Sequence, residues 1–274
     1  MKTVDVDTMT IAYRDLGAGP AVLLLHGWPT SSYLWRNVMP TIARRNRVIA
    51  IDLPGFGASA KPLDRRYGFA TFSAAIDGLL GELGFDRVAL GGHDLGGPIA
   101  VRWALQRPDR VTGLALLNTL LYPDLDPAVV EFVNALTTPG PREKLTSSRG
   151  LADLFRAGLA NPAHAADETI EAIVAPFHDD DARLALAKAG TELSLRTFAE
   201  IAAWLPKLTL PVRVVYGTQD RILPGVAATM ARLQGDVPQA LMTALPHCGH
   251  FLQEEAPDQI GEILAEFYAA LGDY

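Results

Sequence analysis

Residues Arg87-Val88-Ala89-Leu90-Gly91-Gly92-His93-Asp94-Leu95-Gly96-Gly97 join an apolar run, a glycine-flanked acid and the start of an amphipathic stretch. The run Arg87–Leu90 has the length and composition of a buried strand, and residues 96–107 have helical periodicity ending near Pro108. The segment between them, Gly92-x-Asp94-x-Gly96, is a tight turn. Such a turn strains its central residue and needs small neighbours two positions away, hence the glycines. It pushes the central side chain out at a helix N-terminus, where the positive end of the helix dipole favours an ionised carboxylate. A glycine-flanked Asp alone is common in turns. Strand before and helix after make this a nucleophile elbow with Asp where a serine usually sits.

Working outward, the same rhythm recurs. Residues 3–14 look like a hairpin, Ala21–Leu25 is a buried strand, residues 32–44 read as a helix and Arg47–Ile51 as the next strand. Residues 71–83 are helical and Val111–Leu117 is a strand. Continuous apolar strands separated by helices predict a parallel sheet covered on both faces. From 121 to 205 no strand is predicted. Helices are expected at 127–137, 149–159, 167–175 and 179–203, the last broken, with prolines such as Pro139, Pro162 and Pro176 as punctuation. After Pro211 the alternation returns with Val212–Tyr216, a helix at 224–234, Gln239–Thr243 and a helix at 257–271. The expected organisation is a core of residues 1–120 and 206–274 with a helical cap at 121–205. Open α/β sheets bind ligands at the carboxyl ends of their strands, so an inserted cap there roofs the site.

Bulk properties limit the function. The chain has 274 residues, 49% of them hydrophobic, enough for a sizeable core. A formal charge of −7 with scattered basic residues argues against nucleic acid or an anionic membrane as partner. No run reaches membrane-span length, and the opening residues lack the apolar stretch of a signal peptide. With the single cysteine Cys248, neither an intrachain disulfide nor a cysteine-based metal site can form. The expectation is a reduced, soluble, cytoplasmic protein.

A carboxylate nucleophile suits attack on an sp3 carbon bearing a leaving group, giving an alkyl ester with the enzyme. Hydrolysing that ester requires a base, an acid to orient it and an oxyanion hole. The base candidate is His250, in His247-Cys248-Gly249-His250-Phe251-Leu252 after the last strand, ahead of His247 and His93. The orienting acid is Asp220, on the loop after Val212–Tyr216; the chain order nucleophile, acid, histidine fits this kind of triad. The other location for an acid, after Val111–Leu117, holds Asn118, which carries no charge. The oxyanion donors are expected to be the backbone N–H groups of Leu95 and of Trp28, in the loop His26-Gly27-Trp28-Pro29. His26 is assigned to organising that loop.

The segments His26-Gly27-Trp28-Pro29-Thr30-Ser31-Ser32-Tyr33-Leu34-Trp35-Arg36-Asn37, Asp52-Leu53-Pro54-Gly55-Phe56-Gly57-Ala58-Ser59, the Asp94 elbow and His250-Phe251-Leu252-Gln253-Glu254-Glu255-Ala256-Pro257-Asp258 resemble the haloalkane dehalogenases and their epoxide hydrolase relatives. The resemblance covers the catalytic core, and the cap matches poorly. It implies an α/β-hydrolase fold: a mostly parallel eight-stranded sheet with helices on both faces and an inserted helical cap. It further implies no metal and no organic cofactor, a small apolar substrate and water as partners, and hydrolysis through a covalent ester on Asp94. Dehalogenases typically place a halide-binding Trp after the nucleophile and often an Asn after the first His-Gly. Here these are Leu95 and Trp28, and the Trp28 indole is the expected replacement donor. Epoxide hydrolases need cap tyrosines as acids; between Pro123 and Val215 there is none, leaving Tyr122 at the cap entrance. Epoxide hydrolysis, or ligand binding on a weakened hydrolase scaffold, are the competing readings.

For the substrate and leaving-group site the candidates are Trp28, Trp204, Phe155, Phe177 and Tyr122. Phe132 and Phe198 are further cap aromatics, while Trp35 and Trp103 read as packing residues. The run Asp179-Asp180-Asp181 reads as a helix N-terminus and not as metal ligands.

Overall fold

The computed structural model describes residues 1–271. Eight strands form one sheet: β1 (Lys2–Val6), β2 (Met9–Gly17), β3 (Ala21–Leu25), β4 (Arg47–Ile51), β5 (Val88–Asp94), β6 (Val111–Thr119), β7 (Val212–Gly217) and β8 (Leu241–Leu245). Their order is β1-β2-β4-β3-β5-β6-β7-β8. β1 and β2 run antiparallel to each other, as do β2 and β4, and from β4 to β8 every pairing is parallel. β3 (AVLLL) and β5 (VALGGHD) are buried along their whole lengths, as expected of central strands with both faces covered.

The helices are α1 (Met39–Ile42), α2 (Phe69–Glu82), α3 (Gly96–Gln106), α4 (Pro127–Thr137), α5 (Pro141–Thr146), α6 (Ser148–Gly158), α7 (Asp167–Val174), α8 (Asp180–Thr191), α9 (Leu195–Trp204), α10 (Val226–Asp236), α11 (Leu252–Glu255) and α12 (Pro257–Leu271). α2 and α3 cover one face of the sheet with Phe72, Ile76 and Trp103. α1 and α12 cover the other with Met39, Ile42, Leu264 and Tyr268. The six helices α4 to α9 lie between β6 and β7, and no strand interrupts them. No described helix is long and apolar enough to cross a membrane.

Three elements differ from the sequence reading. The single helix expected at 32–44 is a 3₁₀ turn, Ser32–Trp35, followed by the short α1. Pro40 lies in the first turn of α1, where its missing N–H and fixed φ are tolerated, so the helix starts there instead of running through it. α5 occupies Pro141–Thr146, where no helix was expected. β8 begins at Leu241, two residues later than expected, because its bounds follow pairing with β7 from Arg213↔Leu241 to Gly217↔Leu245. As the edge strand, β8 has only that one neighbour to define it.

Candidate active site

Asp94 is the last residue of β5, and Leu95 caps α3. The Asp94 φ of 50° lies in the left-handed region that side-chain-bearing residues rarely occupy. The surrounding packing holds it there. A side chain at Gly92 would collide with the backbone of Gly96, and one at Gly96 with the carbonyl groups of Leu25 and His26. The Thr119 hydroxyl donates to the Asp94 backbone carbonyl at 2.6 Å. The elbow therefore packs against the ends of β3 and β6, and the carboxylate projects to the carboxyl end of the sheet.

The two carboxylate oxygens have different surroundings. Oδ1 accepts the Trp28 backbone N–H at 2.8 Å, and the Leu95 N–H also stabilises the ionised carboxylate. Oδ2 faces His250 Nε2 at 3.7 Å, beyond direct hydrogen bonding. Burial pushes the Asp94 carboxyl above the ordinary range, and the His250 charge with the Leu95 and Trp28 N–H groups offsets only part of that rise.

His250 Nδ1 lies 2.8 Å from Asp220 Oδ2. An ionised carboxylate only accepts, so Nδ1 carries the proton and Nε2 presents its lone pair toward Asp94. That buried Nε2 has no hydrogen-bond partner in the protein. Burial opposes charge on the ring, but Asp220, by charge and hydrogen bond, and Asp94 overcome it and raise the pKa above the ordinary 6.5. Burial likewise raises the Asp220 carboxyl, and His250, the Leu223 N–H and the Asn118 amide outweigh this to leave it below its ordinary range. Asp220 Oδ1 accepts the Ile222 and Leu223 N–H groups at 2.8 Å each.

The neighbouring histidines are placed differently. His93 Nε2 donates to the His250 carbonyl at 2.9 Å; burial, with the adjacent His250, keeps this ring well below 6.5 and neutral. His26 Nδ1 donates to the Gly27 carbonyl at 2.9 Å and Nε2 accepts the Leu53 N–H at 3.0 Å, so this ring ties two loops together. Asp52 accepts the Ser32 and Ala58 N–H groups and braces the same loops.

Asp94 opens on a cavity of about 520 Å³ whose lining is mostly apolar, including Leu95, Val129, Phe132, Phe198 and Leu223. The volume lies in the range of small-molecule sites. Of the proposed substrate contacts, Trp28 lines this cavity. Its indole N–H, expected as a leaving-group donor, instead donates to the Leu186 carbonyl of α8 at 3.0 Å. The other four lie elsewhere. Tyr122 donates its hydroxyl to Asp236 at 2.7 Å. Phe155 is buried against Phe251, with ring centroids 4.5 Å apart, and Phe177 is buried beneath Lys61. Trp204 is 49% exposed with Lys207 over its ring. None of the four is among the residues lining the cavity, which the spacing of aromatics does not reveal. Phe132 and Phe198 line it, and the Phe132 ring packs edge-on against Trp28 at 4.8 Å.

Asn118 is the residue the sequence reading passed over. At a φ of 31° on the end of β6, its amide donates to Asp220 Oδ2 at 2.6 Å and accepts the Gly217 N–H at 2.8 Å. The signal was its position: strand ends border the site even when the residue there has no charge. The acidic run caps α8, with the Asp179 carboxylate accepting the Ala182 N–H. Among the described residues no His, Cys, Asp and Glu cluster suits a metal ion.

This fold and this strand-end site define an α/β-hydrolase. A family model described as alpha/beta hydrolase fold matches residues 20–257, and the chain belongs to that family. Within it, the chain is similar to haloalkane dehalogenases. It is 31% identical over 263 residues to haloalkane dehalogenase 2 of Mycobacterium tuberculosis, spanning 93% of this chain and 90% of the relative. It is 32% identical over 276 residues to the haloalkane dehalogenase of Mesorhizobium japonicum, spanning 94% and 87%. The crystal structure of haloalkane dehalogenase DbeA from Bradyrhizobium elkani superposes with a TM-score of 0.86 at 29% identity, covering 98% of this chain and 97% of that one.

Proposed function

We propose that this chain hydrolyses a carbon–halogen bond in a small apolar substrate through an alkyl ester on Asp94. The observation that carries this reading is the asymmetry of the carboxylate: Oδ1 is held by backbone N–H, while Oδ2 faces His250 at 3.7 Å beside an apolar cavity. Oδ2 attacks the carbon, the carbon–halogen bond breaks, and halide leaves with the bonding pair. His250 Nε2 then takes a proton from water as its oxygen adds to the Asp94 carboxyl carbon. Charge developing on Oδ1 is met by the Trp28 N–H, which already donates to that atom at 2.8 Å, with the Leu95 N–H beside the carboxyl as the second donor. Collapse breaks the carboxyl carbon–Oδ2 bond and releases the alcohol, which takes up the proton from His250. Asp220 orients the ring and stabilises its charged form. Net, substrate and water give alcohol, halide and a proton.

The similarity to haloalkane dehalogenases supports halide as the leaving group. Epoxide hydrolysis is disfavoured because no tyrosine lines the cavity among the described residues. The test is His250→Phe incubated with 1-bromobutane. The expected result is a stable mass increase of one butyl group per chain, absent in His250→Phe combined with Asp94→Ala, with halide release by the wild type. Asp94→Ala alone should lose turnover by at least about 10³-fold. Undiminished halide release by Asp94→Ala, or no adduct and no release from any haloalkane, overturns the proposal.

A further inference from the structure

The Asp220 carboxylate has more donors than orientation requires. Its Oδ1 is fixed by two backbone N–H groups, those of Ile222 and Leu223, at 2.8 Å each. Its Oδ2 takes His250 Nδ1 at 2.8 Å and also the Asn118 amide at 2.6 Å. Asn118 is wholly buried, and its amide also donates to the Gly249 carbonyl at 3.2 Å and accepts the Gly217 N–H. One side chain thus joins the end of β6, the loop that carries Asp220 and the loop that carries His250. It does so from a φ of 31°, a conformation costly to a non-glycine residue.

We propose that Asn118 is a positioning residue that shares the charge of Asp220 Oδ2 with His250 and thereby sets the pH at which His250 becomes a working base. The inference rests on the triad reading above. Asn118 aims the positive end of its amide dipole at the oxygen that holds the imidazole. It stabilises the Asp220 anion and, lying beside the ring, opposes imidazolium. Removing it leaves Asp220 in place, because Oδ1 keeps both backbone donors, and returns the full charge of Oδ2 to His250. The imidazolium is then favoured and the ring releases its proton at a higher pH. The other titratable groups near the ring are Asp94 at Nε2, His93 with its centroid 4.8 Å away, Cys248 two residues before, and Glu255, whose carboxylate accepts the Gly249 N–H. The substitution changes the charge of none of them.

The experiment uses Asn118→Gly, since glycine adopts a positive φ without strain. The two chemical steps are measured separately as a function of pH: alkylation by 1-bromobutane in rapid-quench experiments, and decay of the isolated alkyl-enzyme. Hydrolysis, which needs neutral His250, should lose its acid limb upward by about one pH unit, making it roughly tenfold slower below the midpoint. Alkylation should change less than twofold. If glycine at this site does not fold by circular dichroism, Asn118→Ala is read the same way, and titration of the His250 ring by NMR gives the shift directly. An acid limb that stays put, or moves down, in a folded variant overturns the proposal. Failure of the wild type to form an alkyl-enzyme overturns the triad reading instead, so the two failures are distinct.

Discussion

The floor and the roof of the cavity are held by different forces. The floor is made by the ends of β3, β5, β6 and β7 and their loops, and it is a polar network. Asp94 Oδ1, Asp220 and the rings of His26, His93 and His250 each meet directional partners between 2.6 and 3.0 Å. The roof comes from α4, α8 and α9 and meets the floor chiefly through apolar side chains such as Val129, Phe132, Leu195 and Phe198. Hydrogen bonds fall off steeply with angle and distance, whereas apolar contact is non-directional. The floor therefore fixes what chemistry occurs and tolerates little displacement. The roof fixes which molecule fits and tolerates more.

Beyond substitution of Asp94 itself, the sharpest test of the floor is Gly27→Ala. The added methyl would overlap the Cβ and Oδ1 of Asp94, the atoms that the neighbouring Trp28 N–H holds in place. If Asp94 is the proposed nucleophile, a displacement of this size should cost about 10²-fold in kcat/KM. Steady-state halide release and a thermal melt, measured together, separate this from unfolding. A folded variant with wild-type kcat/KM would mean that the position of Oδ1 does not govern the chemistry.

The floor was also the part legible in the sequence, for the same reason that it is intolerant. Asp94 ends, and Trp28, Asp220 and His250 follow, strands only five to seven residues long, so a residue at or just past a strand end has little freedom in where it lies. The turn chemistry of Gly92 and Gly96 adds a second constraint. The roof offered no such anchor. The helix expected at 127–137 coincides with α4, yet the face it presents depends on its neighbours. Phe155 and Phe198 are both buried aromatics on insertion helices, and only Phe198 reaches the cavity. The Trp28 indole was misread for a related reason: its partner, the Leu186 carbonyl, belongs to a helix 158 residues away. Asn118 was weighed as an acid and set aside for lacking charge, when its role lies in the hydrogen bonds it gives to one.

The pH profile sharpens the comparison from the floor side. His250 must be neutral to accept a proton, and its folded pKa is raised above 6.5 by Asp220 and Asp94. Turnover limited by ester hydrolysis should therefore be low in acid, rise with pH about tenfold per unit, and level off only above a midpoint higher than 6.5. Roof variants should leave that midpoint unmoved. A profile that levels off below pH 6 would mean that His250 does not limit the step.

On the roof, Phe198→Ala removes a buried ring that lines the cavity and packs edge-on against Phe69 at 5.8 Å. Truncating a buried phenylalanine should lower stability by about 3 kcal/mol. The kinetic change should appear mainly in KM, about tenfold for short substrates, because the lost contact is made in ground and transition states alike. Bulkier substrates should lose less or gain. A fall in kcat with KM unchanged would place this ring in the chemistry and blur the division between floor and roof.

The smallest effect belongs to Trp204. It is on the same helix, α9, as Phe198 and is the larger aromatic, so helix membership and residue type alone would rank it first. Its ring instead lies half in solvent beneath Lys207, outside the cavity lining. Surface substitutions away from a buried network usually change stability by less than about 0.5 kcal/mol. Trp204→Ala should accordingly keep kcat and KM within twofold of wild type for short and long haloalkanes. If KM for long substrates rose while short ones were unaffected, the entrance would extend past the cavity mouth to this end of α9. The roof would then select substrates over a wider surface than its lining residues define.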